Sequence, residues 1–252
     1  MHSNSTPEWR LKSALPKGSE DSLFKAKRKE KTMDSYDSSL YEKLSVAVDL
    51  LVFTIENDAL KILMVERGED PFANMLALPG VFVGIDETLD DAAKRGISEE
   101  AGLEDIYFEQ LYSFGDVRRD PRMRIISVAY MALVPIEKLN FHAGKRTVSA
   151  RLVDVCTLLE SDTEVAFDHK KIIEYGRNRL ANKVEYTTIA FHLVGEEFTL
   201  PNLQKVYEIL LGKSLYKANF RKKIAPLIEE TEFATSGEKH RPSRLYRRKQ
   251  GI

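Results

Sequence analysis

Cysteine is almost missing from this sequence: Cys156 stands alone. No internal disulfide can form, and no Cys/His spacing offers ligands for zinc. Long hydrophobic runs are missing too. Nothing approaches the roughly 18 consecutive apolar residues that a membrane span needs, and the N-terminus lacks the apolar core of a secretory signal. These absences argue against membrane and secreted classes and lead us to expect a cytoplasmic protein. What is present is ordinary for a soluble chain: 43% hydrophobic and 31% charged residues, enough to build a real core. At 252 residues a medium domain followed by a small one is the natural expectation. Cys156, inside the apolar stretch 152–159, is expected to be buried packing.

The net charge of −1 conceals an asymmetry. From Thr199 onward there are twelve Lys/Arg against five acids, a surplus of seven positive charges. A compact basic module behind a more acidic body is the footprint of a polyanion binder.

Residues 1–44 mix Ser, Lys, Glu, Asp and Pro without periodicity and read as a disordered leader; Met33 is a candidate start within it. From residue 45 the pattern is that of a mixed α/β domain extending to 192. Strands are expected at 46–53, 60–65, 81–83, 106–114 and 124–133, and helices at 88–101, capped by Gly102, and at 170–180. Residues 193–252 read as helix (201–211), turn at Gly212-Lys213, helix (217–230) that Pro226 should kink or shorten, and a basic hairpin ending in Arg244-Leu245-Tyr246-Arg247. That outline is a winged helix-turn-helix. On its second helix Lys217, Asn219, Arg221, Lys222 and Lys223 form a polar face opposite Phe220 and Ile224, suited to a major groove. Arg241, Arg244 and Arg247 of the wing suit a phosphate backbone or narrow minor groove. Together these residues are the candidate DNA-binding set.

In the front domain, the run from Leu78-Pro79-Gly80 through Glu87 and Arg95-Gly96-Ile97-Ser98-Glu99-Glu100 to Gly102-Leu103 resembles the Nudix box. Glu87, Arg95, Ile97, Glu99, Glu100, Gly102 and Leu103 fall on the family's positions, and the resemblance implies that Glu87 and Arg95 form a structural pair. A helix brings residues three and four apart to one face, so carboxylates at 96, 99 and 100 would converge on a divalent ion over a pyrophosphate. Position 96 is glycine and Val81 replaces the box's first glycine. Metal-assisted hydrolysis is therefore expected to be impaired, with Glu99 and Glu100 left to hold Mg2+ weakly and no cofactor required. Restoring the carboxylate with Gly96→Glu should raise hydrolysis if the missing ligand alone limits activity.

Downstream, Phe114-Gly115-Asp116-Val117-Arg118-Arg119-Asp120-Pro121-Arg122 resembles Nudix domains that handle ADP-ribose. Guanidinium groups suit phosphate oxygens, so Arg118, Arg119, Arg122 and Arg124, with Arg67 and Tyr130, are the candidate effector-binding residues. The segment from Phe198-Thr199-Leu200-Pro201 to Arg247, with the junction Ala166-Phe167-Asp168-His169, is similar to the C-terminal domain of the Nudix-related, NrtR-like transcriptional regulators. The resemblance implies an α+β Nudix-like domain, a mixed sheet flanked by helices, followed by a small winged helix. It implies a ligand-responsive regulator, a repressor, that binds operator DNA as a homodimer, senses ADP-ribose or a related nucleotide sugar and controls NAD metabolism. Two alternatives stay open: a Mg2+-dependent ADP-ribose or nucleoside-diphosphate pyrophosphatase, and a regulator of sugar utilisation answering to a sugar or sugar phosphate.

Overall fold

A computed structural model describes residues 38–104, 106–141, 147–235 and 242–249. Most of the expected leader, Met33 included, lies outside the described residues, as does Arg241. Ahead of the sheet, a 3-10 turn is described at Ser38–Leu40. The compact unit Leu44–Ile252 carries the sheet and the helices.

Its centre is a mixed seven-stranded sheet. The path runs β3 (Leu76–Ala77), β2 (Ala59–Arg67), β1 (Ser45–Glu56), β6 (Ile125–Leu133) and β5 (Tyr107–Phe114), with β4 (Gly80–Phe82) on β1 and β7 (Thr147–Asp154) on β2. The β1–β6 pair is parallel and the others are antiparallel. Strand β1 is central, so its run Val48 to Thr54 is buried on both faces, as the near-continuous apolar sequence anticipates. Strand β7 has no clear sequence signal because neither of its faces is fully apolar.

Period-two alternation sorts the strands' side chains into two cores. On one face Val48, Leu50, Val52, Leu63, Tyr130 and Ala132 pack under Ala92, Ala93 and Ile97 of helix α1 (Leu89–Ala101). That helix begins at Thr88, whose side chain accepts from the Asp91 amide in a capping box, and stops at Gly102 with φ 62°, a left-handed cap that glycine adopts without penalty. On the other face Leu51, Phe53, Ile62, Met64, Met131 and Leu133 meet α2 (Val155–Glu160) and α3 (His169–Lys183). Helix α2 turns Val155 and Leu158 inward and leaves Cys156 exposed, contrary to the expectation of a buried thiol: residues three apart share the core-facing side of the helix, and position 156 lies off it.

This second core does not end with the sheet. Ile189, Phe191, Leu193, Phe198, Leu203, Val206, Phe220, Ile224 and Ile228 belong to the same cluster, so one hydrophobic core continues across residues 192–193 into α4 (Leu200–Leu211) and α5 (Lys217–Ile224). Helix α4 starts at Thr199, which accepts from the Asn202 amide, and closes at Gly212 with φ 64°. Helix α5 is shorter than the expected 217–230. Pro226, which has no amide hydrogen to continue a helix, sits in a 3-10 turn at Ala225–Leu227, and the chain then becomes β8 (Ile228–Ala234), paired with β9 (Arg244–Arg248). Glu229, Glu230 and Glu232 thus lie on the wing rather than on a helix. An isolated bridge joins Phe198 to Tyr246 and ties the wing to the start of α4.

Candidate effector site and nucleic-acid interface

The box helix keeps its structural pair and closes its catalytic face. Arg95 Nη2 donates to Glu87 Oε1 at 2.8 Å and Nε to Oε2 at 3.2 Å, while the Gly84 amide donates to Oε1 at 2.6 Å. The hydrogen bonds from Arg95, then Gly84, hold the Glu87 carboxyl below the usual carboxylate range. Arg95 also reaches the Phe82 carbonyl at 2.9 Å, locking α1 to β4. Glu99 is exposed and lies 3.5 Å from Arg95. Glu100 is half-buried, and its Oε2 is buried without a hydrogen-bond partner; burial, then the neighbouring Glu99 charge, pushes its carboxyl up. Gly96 faces the core: a Cβ there would lie 2.9 Å from Leu50 Cδ1 and 3.3 Å from Val81 Cγ2. Packing has taken the place where the third carboxylate would begin. Among the described residues no group of three or more His, Cys, Asp or Glu is gathered as a cation site. A divalent ion seeks about six oxygens, and Glu99 and Glu100 supply few of them.

The arginines divide into three kinds. Arg119 is buried. Its Nη2 lies 2.9 Å from Asp49 Oδ2 and 2.8 Å from Asp168 Oδ1, and its Nε donates to Asp168 Oδ2 at 3.2 Å. Ser127 Oγ donates to Asp49 Oδ2 at 2.5 Å. Burial opposes the guanidinium charge, yet Asp49 and Asp168 outweigh it and hold the group above its ordinary pKa. His169 completes the knot: its Nδ1 accepts from the Leu78 amide at 2.8 Å and its Nε2 lies 3.6 Å from Asp49. Burial pushes the imidazole pKa down, keeping the acceptor nitrogen free of a proton.

Arg118 and Arg124 are the second kind. Arg118 is exposed, and its amide caps Asp116 at 2.8 Å. Arg124 donates to the carbonyls of Asp116 at 2.8 Å and Gly115 at 2.9 Å, closing the loop between β5 and β6. Arg67 and Arg122 are the third kind and converge on aromatic rings. Arg67 sits 4.9 Å over Phe167, and Arg122 lies 5.7 Å from Phe167 and 6.0 Å from Phe82. Burial and then the charge of Arg122 lower the Arg67 pKa, the mark of two cations drawn together. Arg122 is held by Asp120 at 2.7 Å. Phe72 packs edge-on against Phe167 at 4.8 Å, and a cavity of about 510 Å3 lined by Phe72, Met75, Thr163, Val165 and Lys170 adjoins it. Paired guanidiniums can take phosphate oxygens. Tyr130 does not join this cluster. It lies mid-strand on β6, its side chain is buried against α1, and its hydroxyl donates to Asp90 at 2.6 Å.

At the other end, Lys217, Asn219, Arg221 and Lys222 are exposed on α5 while Phe220 and Ile224 anchor it in the core. Lys223 turns back instead, donating to the Glu185 carbonyl at 3.0 Å. On the wing, Arg244 pairs with Glu230 and Arg247 with Glu229, both at 2.5 Å.

Comparison with known proteins decides what this arrangement belongs to. The Nudix domain family matches residues 43–175, and the NrtR DNA-binding winged helix domain matches residues 190–248. An ADPR responsive transcriptional repressor of Acinetobacter baylyi is 34% identical over 84% of this chain and 85% of its own length. The chain belongs to the NrtR-like family of Nudix-related transcriptional regulators. An NrtR-like crystal structure, that of Shewanella oneidensis NrtR complexed with a 27mer DNA, is 32% identical and superimposes with a TM-score of 0.71, covering 81% of this chain and 93% of that one. The NUDIX domain of the same protein complexed with ADP ribose is 30% identical with a TM-score of 0.52, over 58% and 95% of the two chains. An ADP-ribose pyrophosphatase of Methanocaldococcus jannaschii is 38% identical over 54% of this chain and 74% of its own. For this NrtR-like chain, sequence reasoning overlooked Asp49 and Phe167. A lone acid inside the apolar run 46–53 was the available signal for Asp49; Phe167 had none beyond its place in the junction motif.

Proposed function

We propose that this chain is a transcriptional repressor that grips operator DNA with α5 and the wing and loosens when ADP-ribose, or a related nucleotide sugar, brings its phosphates to Arg67 and Arg122. The observation that carries the reading is the single hydrophobic core shared by the sensor sheet and the winged helix, beside a box face closed at Gly96. Lys217, Asn219, Arg221 and Lys222 read or track the DNA, Arg244 and Arg247 follow its backbone, and Arg118 fringes the effector site. The repressor works in the cytoplasm as a homodimer, two half-sites multiplying the modest affinity of one winged helix, and its regulated genes serve NAD metabolism. No cofactor is needed; Mg2+, if bound, is held weakly by Glu99 and Glu100.

A second reading, residual pyrophosphatase activity, draws on the unpartnered Glu100 oxygen and the likeness to the archaeal enzyme. Fluorescence anisotropy on the protein's own upstream DNA at stated salt, with and without ADP-ribose, separates the cases. Specific binding weakened by ADP-ribose supports the sensor. Binding that ignores ADP-ribose but answers to ribose 5-phosphate moves the effector to sugar phosphates, and no specific binding with Mg2+-dependent ADP-ribose cleavage favours the enzyme.

A further inference from the structure

Phe167 has φ 56°, a left-handed conformation that a residue with a large side chain rarely adopts and that persists only where surroundings enforce it. Here the enforcement is visible. Arg67 and Arg122 lie over the ring, Phe72 packs its edge, and the next residue, Asp168, is held by Arg119. Phe167 and Asp168 lead directly into α3, which begins at His169.

Helix α3 is built to transmit a displacement rather than absorb it. At Gly176 it presses so closely on β1 that an added Cβ would collide with Leu51 Cδ2, a tight contact at its middle. At the far end Lys183 is bound to Glu109. Two residues on, the Glu185 carbonyl accepts from Lys223 of α5, and the Glu185 carboxylate lies 3.4 Å from Lys213 in the turn before α5. The chain leaving α3 therefore touches α5 at Lys223 and the turn before it at Lys213.

We propose that Phe167 is the positioning residue that couples the effector to the DNA-binding helix. The inference rests on the sensor reading above. Phosphate oxygens bind a guanidinium more strongly than an aromatic face does, so an effector at this site draws Arg67 and Arg122 off the ring. The strained turn at Phe167 then relaxes, the start of α3 shifts about its Gly176 contact, and Glu185 repositions Lys213 and Lys223.

The test uses Phe167→Gly and Phe167→Leu in the full chain. Glycine occupies the left-handed region freely and offers no ring; leucine keeps bulk without a π face. Calorimetry measures ADP-ribose affinity, and anisotropy measures operator affinity with and without it. In wild type ADP-ribose should weaken operator binding about tenfold or more, within the usual range of coupling. In Phe167→Gly the shift should fall below about twofold while ADP-ribose binds at least as tightly; Phe167→Leu should fall between and carries the test if the glycine variant does not fold. Non-specific DNA binding at low salt should stay unchanged, as a damaged winged helix would not allow. A full operator shift in both variants, or loss of ADP-ribose binding in them, overturns the inference alone. Failure of wild type to bind ADP-ribose overturns it together with the sensor reading.

Discussion

The positive charges at the two ends of this molecule are alike in chemistry and opposite in circumstance. At the sensor end Arg119 is enclosed by two carboxylates, Arg122 is held by Asp120 and Arg124 is spent on carbonyls. At the DNA end Lys217, Arg221 and Lys222 stand exposed without an ion pair among the described residues. Desolvated charge must be neutralised where it stands, so Arg119 is fixed in place before any ligand arrives. Solvated cations cost nothing to keep unpaired and gain by releasing counterions from a polyanion. One end is organised for a shape and the other for a charged rod.

If that contrast holds, removing the buried cation should do the greatest harm. Arg119→Ala leaves the buried Asp49 and the half-buried Asp168 without their cation and should cost about 3–5 kcal/mol, read as a lower urea midpoint; a change under about 1 kcal/mol would mean that the knot is solvated like the basic face of α5. Next comes the box face, where Glu100 Oε2 is buried without a hydrogen-bond partner among the described residues. Gly96→Glu would drive a side chain into Leu50 and Val81 and add a second acid beside Glu100. We expect a loss of about 1–3 kcal/mol, as for other overpacked sites, and no ADP-ribose cleavage with Mg2+ above wild type. Appearance of turnover would show that the missing ligand was the box's sole defect. The smallest effect probes the wing, where Arg247 is exposed but paired with Glu229. Glu229→Gln should leave stability unchanged and tighten operator binding by about twofold to threefold; no gain would place Arg247 away from the DNA.

The sequence made some of this plain and hid the rest for physical reasons. Helix α1 was legible from its 3.6-residue period, its Thr88 start and its Gly102 stop because capping is a local matter. Pro226 is expected to kink or shorten α5, and the helix does end at Ile224 although Leu227 and Ile228 keep helical spacing beyond it. The three roles of the arginines could not be told apart, since neighbours at 118 and 119 differ in burial only through Asp49 and Asp168, distant in sequence. Tyr130 was grouped with the loop by proximity along the chain, but its place five residues into β6 and its alternation toward α1 carry it to the opposite core. The aromatic grip on Phe167 joins residues 67, 122 and 167, a convergence that no local pattern encodes.

The core that passes uninterrupted from the sheet through Ile189, Phe191 and Leu193 to Phe220 also bears on how such proteins can be diversified. A head joined by a tether could be traded between regulators by cutting anywhere in the tether. Here a splice at residue 193 would part Phe191 from Phe198, which pack 5.6 Å apart, and strip oily surface from both fragments. If α5 reads the operator as proposed, new specificities are reached by rewriting its exposed residues in place, while the seam beneath them is inherited whole.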